Sequence, residues 1–250
     1  MDDATEFPYV KKNSKELKKI LKYENNLCKT SAIIICSSAN LKQKLIQRYN
    51  INANKIKTIN NGININNLSR KDAIPLKIKN LFIDNDKIKI VYIGTISEWF
   101  DFDLIIKSLN DFKSIMYLLI GPKEVDIPNK SNIKYFGPVQ HEYVSSIMDL
   151  ADILVMPFKK NELIKSVNPV KVYEYIYSGK PSIIIKYEET MIFKDYVFLY
   201  DSYESYCDYL RRIIERKTYI INNEKRLLFL KNSTWESRVK IIYDTIKKLM

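Results

Sequence analysis

Among the five glycines of this 250-residue chain, two directly follow apolar runs, in Tyr92-Ile93-Gly94-Thr95 and Leu119-Ile120-Gly121-Pro122. A glycine at the end of a strand lets a phosphate or a sugar approach the backbone, and the amino end of the helix after it favours an anion. A glycine there also makes a tight strand-to-helix turn with no ligand at all, so each motif alone leaves both readings open. Neither is a GxGxxG, which removes the dinucleotide fingerprint. The densest group of polar and charged side chains is Asn168-Pro169-Val170-Lys171-Val172-Tyr173-Glu174, followed by Ser178-Gly179-Lys180-Pro181. Pro169 suits a first helical turn, where its missing N–H is no loss. His141 is the only histidine, which excludes any multi-histidine metal centre. Cys28, Cys36 and Cys207 form no CxxC pair and have no neighbouring histidine, so they read as reduced thiols, with neither disulfide nor zinc.

The elements that must position these residues can be read from the apolar pattern. Ala32 to Cys36 is a short strand, and Ser37 and Ser38 can cap a helix with Leu41, Leu45, Ile46 and Tyr49 on one face. A second strand, Ile56 to Ile59, ends at the turn Asn60-Asn61-Gly62, which tolerates positive φ. Ile63 to about Asp86 shows no period and reads as a linker. Beyond it come apolar strands at Ile88 to Ile93, Ile115 to Ile120, Ile133 to Phe136, Ile153 to Met156, Ser182 to Ile185 and Val197 to Tyr200. Helical stretches at Asp101 to Asn110, His141 to Leu150, Pro169 to Ser178 and Tyr203 to Lys217 separate several of them. Apolar strands alternating with amphipathic helices predict a doubly wound parallel α/β sheet from about 85 to 230, with ligands beyond the carboxyl ends of its strands.

Composition narrows the class further. Hydrophobic residues make up 46% of the chain, enough for one substantial core or one core and part of another. No run of eighteen apolar residues occurs and the start, Met1 to Glu6, is acidic and polar, so neither a transmembrane span nor a signal peptide is expected, and the chain is placed in the cytoplasm. The net charge of +12 favours polyanionic partners: nucleic acid, an anionic membrane surface or a phosphate-bearing substrate. Charge does not choose among these, and it is also what a composition biased to Ile, Asn and Lys would produce. No nucleic-acid motif is present, so no specific nucleic-acid partner is expected.

The order of the segments, more than any one motif, resembles the retaining GT-B glycosyltransferases, nearest the bacterial branch that builds capsular, teichuronic-type and O-antigen polysaccharides. Asn168 to Pro181 leading into Ser182 to Ile185 resembles that family's nucleotide-sugar motif. Ala32 to Ser38 with Asn60-Asn61-Gly62-Ile63 resembles the last strand, helix and NG turn of the amino-terminal domain, and Tyr92 to Asp103 the first strand and loop of the carboxyl-terminal one. Asn132 to Val139, Ala151 to Phe158 and Trp235 to Arg238 fall in the matching order, so the resemblance covers roughly 30 to 245. It implies that Glu174 binds the ribose hydroxyls, as a carboxylate can by accepting two hydrogen bonds from a vicinal diol. It further implies that backbone amides of Asn168, Val170 and Lys171 face the diphosphate. Lys171 either neutralises the leaving phosphate charge or is a solvated surface lysine. Phe136, Val139 and Phe158 pack near the base or belong to the core, and Trp99 is a sugar platform or a buried anchor.

The sequence departs from the family in three places. Ser166, counted with the donor-binding residues by its place in the segment, stands eight positions before Glu174, where the family has a first glutamate. The basic residue common in the loop after the first strand is not evident in Thr95-Ile96-Ser97-Glu98-Trp99. And only about 75 residues precede the linker, so the expected organisation is a partial acceptor-binding domain at 1–75, a linker at 76–86, a nucleotide-sugar domain at 87–232, and at 233–250 a helix crossing back to the first domain. That helix carries Trp235, Val239, Ile242, Tyr243, Ile246 and Leu249 at helical spacing, an apolar stripe open to a partner chain that would supply the missing part. The implied activity is transfer of a sugar, with retention, from a nucleotide-diphosphate donor, UDP- or GDP-linked, to a lipid-linked or cell-envelope glycan, at the inner face of the membrane and with neither cofactor nor obligatory metal. The alternative is a non-catalytic nucleotide-sugar-binding subunit or remnant that needs a second chain.

Overall fold

In a computed structural model, residues 6, 10, 14–68, 74–83, 86–215 and 222–248 are described. Leu249, residues 69–73 and 84–85 of the stretch read as a linker and residues 216–217 of the helix read from Tyr203 to Lys217 lie outside them.

Two cores organise the described chain. The smaller unit holds α1 (Lys15–Thr30), β1 (Ile34–Cys36), α2 (Ala39–Tyr49) and β2 (Ile56–Thr58), with β1 and β2 parallel in the register Ile34↔Ile56. Its core is Cys28, Cys36, Leu41, Leu45 and Ile56. Ser38 caps α2 by accepting from Leu41 N at 3.1 Å, as its position before the apolar stripe predicts. The pattern gave no warning of α1, because Glu24 interrupts its buried side. That carboxylate is satisfied within the unit by Arg48 Nη1 at 2.9 Å and by the Tyr49 hydroxyl.

The larger unit is the expected doubly wound sheet: β3 (Ile88–Ile93), β4 (Ile115–Ile120), β5 (Ile133–Gly137), β6 (Ile153–Met156), β7 (Ser182–Ile185) and β8 (Phe198–Tyr200). They lie in the order β5-β4-β3-β6-β7-β8, every pair parallel. Every residue of β4, β6 and β7 is buried, which is why these strands read as unbroken apolar runs. The covering helices include α4 (Phe102–Asp111), α5 (Val144–Leu150), α7 (Val170–Ser178), α8 (Tyr203–Ile214) and α9 (Asn223–Lys231). Ser108 on α4 breaks an apolar face for a reason: its hydroxyl meets Tyr117 Oη at 2.7 Å, and Tyr117 in turn meets Tyr206 Oη at 2.7 Å. Buried hydroxyls satisfied in this way bind α4, β4 and α8 together.

The stretch read as a linker is packed over its described residues. It holds a turn at Ile65–Leu68, α3 (Leu76–Lys79) and a further turn at Asn80–Phe82, and Ile63, Leu68 and Ile78 are buried in the larger core. Its anchors are isolated apolar residues, which carry no periodicity to detect. Gly62 does not use positive φ. It is needed for space, since a Cβ there would lie 2.8 Å from Trp235 N. That contact marks the start of α10 (Trp235–Lys247), where Ile63 N–H donates to Ser233 O and Trp235 N–H donates to Ile63 O. No residue of α10 is buried, and Trp235, Val239, Tyr243 and Ile246 are exposed.

Candidate functional site

From β3 the chain steps outward to β4 and β5, then returns to β6 on the other side of β3 and steps the opposite way. The connections therefore diverge between the carboxyl ends of β3 and β6, where a doubly wound sheet opens a crevice. A cleft of about 230 Å³ lies there. Tyr92, Gly94, Thr95 and Trp99 wall it from β3, Met156 and Phe158 from β6. Leu163, Ile164 and Val167, from α6 (Glu162–Lys165) and the turn after it, join Pro169, Val170 and Lys171 at the start of α7. No carboxylate lies among these lining residues.

The two glycines separate in role. Gly94, at φ +156°, lines the cleft, and a Cβ on it would come 3.3 Å from Lys171 Cε. Gly121, at φ +138°, is behind it: a Cβ there would stand 2.1 Å from the Gly94 carbonyl oxygen. Gly121 therefore serves the close approach of two loops, and Gly94 forms the wall a ligand would meet.

Pro169 occupies the cap position of α7, one residue before the first helical turn, so the amides of Val170 and Lys171 lack helical acceptors and are free to face an anion. Lys171 Nζ is 3.2 Å from Glu174 Oε2. Glu174 is buried, and its other oxygen, Oε1, is 3.6 Å from His141 Nε2. Glu174 opens on a second cavity of about 150 Å³ that it shares with Gly62, Asn64, His141 and Trp235; Val170 lines both cavities. One turn of helix thus presents an ammonium to the cleft and a carboxylate to the space beside it. At the far end of α7, Arg226 Nη1 donates to the carbonyls of Ile176 and Tyr177 at 2.9 and 2.6 Å, a cation on the negative end of the helix dipole.

The remaining predicted residues divide. Trp99 and Phe158 meet edge to face at 6.5 Å, and both are half-buried and line the cleft. Phe136, in β5, and Val139, just beyond it, are half-buried and do not line it; Phe136 lies under the Lys77 ammonium at 5.9 Å. Ser166 and Asn168 are fully buried and turned away from the cleft, toward the small unit. His141, Tyr92 and Arg226 had been given no role by the sequence. His141 offered the one available signal, being the sole histidine just ahead of a helix. Among the described residues no group of three or more His, Cys, Asp or Glu is placed to hold a metal, the three cysteines are free and buried, and burial pushes each thiol above its ordinary range.

This sheet, with its switch-point cleft and the cleft-facing start of α7, has the fold of the GT-B glycosyltransferases. No family model matches the chain. Its fold is similar to that of Anabaena HepE, solved in complex with UDP-glucose (TM-score 0.72, 17% identity, 92% of this chain and 68% of that one). It is also similar to a glycosyltransferase from Rickettsia africae (TM-score 0.69, 16% identity, 92% and 66%). In sequence the chain is 25% identical over 175 residues to the Bacillus subtilis protein designated teichuronic acid biosynthesis glycosyltransferase TuaH, covering 67% of this chain and 44% of that protein. The chain thus spans less than half the length of that relative.

Proposed function

We propose that this chain binds a nucleotide-diphosphate sugar, UDP- or GDP-linked, and belongs to an enzyme that transfers the sugar, with retention, to a hydroxyl of a lipid-linked or cell-envelope glycan. The observation that carries the reading is the start of α7, where open amides and Lys171 face a switch-point cleft across from Gly94 while Glu174 stands one turn on. The amides and Lys171 receive the diphosphate and stabilise the charge that grows on it as the sugar departs. Glu174 accepts the ribose hydroxyls, and the aromatic wall of Tyr92, Trp99 and Phe158 packs the sugar or base. The cationic helix terminus performs the role a metal would otherwise have. HepE, solved with UDP-glucose, and the teichuronic acid name of TuaH support the donor and acceptor classes. The net charge of +12 suits work at an anionic membrane surface.

A second reading, a nucleotide-sugar-binding subunit completed by a partner chain, is favoured by the absence of any carboxylate among the cleft's lining residues and by the inward turn of Ser166. Calorimetric titration with UDP, GDP and their sugar conjugates tests both. Micromolar binding weakened about 10- to 100-fold by Glu174→Ala is expected, the loss of hydrogen bonds to a charged group. Unchanged binding in that variant would remove the ribose assignment. Donor turnover that appears only with a co-purifying chain would select the subunit reading.

A further inference from the structure

Ser166 and Asn168 sit in the turn that delivers α7 to the cleft, and neither side chain has any solvent exposure. Ser166 Oγ and both oxygens of Asn168 are bonded to the small unit, while Asn168 Nδ2 has no hydrogen-bond partner. Ser166 Oγ donates to Asn40 Oδ1 at 2.8 Å, across 126 residues. Asn61 donates twice to Asn168, from its backbone N to Oδ1 at 3.0 Å and from its Nδ2 to the main-chain oxygen at 2.7 Å. The Tyr173 hydroxyl adds a third donor, to Asn168 Oδ1 at 3.3 Å. A backbone N–H can only donate, so the atom it meets must be the amide oxygen, which fixes the orientation of Asn168 by chemistry.

The residues that hold the turn are themselves held. Arg238 Nε donates to the Asn61 carbonyl at 3.3 Å, and Ile63, two residues on, is paired to Ser233 and Trp235. Asn40 lies in the first turn of α2, whose leading amides, Ala39 N and Asn40 N, are capped by Glu189 Oε1 of the larger unit at 2.6 and 3.2 Å. Within the larger unit the turn's backbone has Ser166 N on Leu163 O and Val167 N on Ile164 O, Val167 O accepts from Tyr187 Oη at 3.0 Å, and Pro169 brings no N–H. The position of the α7 amino end therefore depends in part on contacts made by another unit.

We infer that the small unit is a positioning element of the donor site: Asn61 and Asn40, acting through Asn168 and Ser166, set where the first amides of α7 and Lys171 stand relative to Gly94. The inference rests on the donor-binding reading. Charge-assisted contacts to a diphosphate require placement within about 0.5 Å, and a turn released from its two buried tethers would lose it. Ser166, which departs from the glutamate of the resembled family, thereby has a use. It ties the turn to α2 instead of reaching a sugar.

The test is UDP affinity and thermal midpoint for the full chain and four variants, with GDP taking the place of UDP if that is the nucleotide bound. Asn61→Ala and Asn40→Ala are expected to raise Kd about fivefold each, the effect of one lost hydrogen bond. Asn61→Asp should raise it more, because a carboxylate would face the Asn168 carbonyl. Arg48→Ala is the control. It breaks the Arg48–Glu24 pair inside the small unit and should lower Tm while leaving Kd unchanged. Wild-type Kd in both Asn61 variants, or Kd values that track Tm across all four, would overturn the inference. A wild-type chain that binds neither nucleotide sinks the donor reading itself, a result distinct from binding that is indifferent to Asn61.

Discussion

Lys171 and Glu174 share an ion pair but face different cavities, which separates their effects. Replacing Lys171 with alanine should weaken UDP by about tenfold and leave uridine nearly unaffected, because in the proposed site the ammonium would meet phosphate charge and the nucleoside has none. Parallel titration of the two ligands checks this, and equal losses would place Lys171 outside the phosphate site. Gly121 supplies a second prediction at this scale. Gly121→Ala forces a Cβ to 2.1 Å from the Gly94 carbonyl oxygen at a φ that side chains rarely adopt. A cost of about 3 kcal/mol or more in unfolding free energy is expected, measured by urea denaturation, and a near-neutral result would mean the two loops can separate freely.

At the scale of elements, α2 and α7 are each finished by a residue from far along the chain: Glu189 at the amino end of α2, Arg226 at the carboxyl end of α7. Burial pushes the Glu189 carboxyl above its ordinary range, against the lowering effect of the Asn40 and Ala39 amides. The folded state therefore holds this proton more tightly than the unfolded one. The stability it contributes is complete below the unfolded value, about pH 4.3, and is lost as pH rises through the raised folded value. Glu189→Gln keeps an oxygen for both amides and removes the titration. Its Tm should decline less than that of the native chain as pH rises through this window, and parallel curves would show that Glu189 does not titrate there.

For the molecule as a whole, the difference between the cores sets the order of opening. Five buried residues make up the core of the small unit, whereas the larger core runs through every strand from β3 to β8. Native-state hydrogen exchange should find the amides of β1, β2 and α2 exchanging well before those of β3, β4 and β6. Uniform protection would mean that the polar contacts between the units join them into one cooperative block. Net charge is distributed as unevenly as the core. Residues 14–62 hold ten basic side chains against two acidic ones, eight of the twelve net positive charges, because acidic residues are scarce in this unit while lysines are spread along the whole chain.

By itself, the sequence determined what depends on local periodicity and on residues with narrow uses. The buried strands β4 and β6 are unbroken apolar runs, the Ser38 cap precedes its stripe, and the Asn168 to Pro181 segment names its helix and the residues that helix would present. Tertiary structure decided what depends on convergence from distant segments. The sequence could not tell which of two post-strand glycines faces a cleft, because Gly121 is fixed by its contact with Gly94 and not by its own neighbours. It read Ile63 to Asp86 as a linker, because isolated anchors such as Leu68 and Ile78 have no period. And it placed Ser166 and Asn168 at a ligand, because nothing local to them shows that Asn40 and Asn61, over a hundred residues away, would take their hydrogen bonds first.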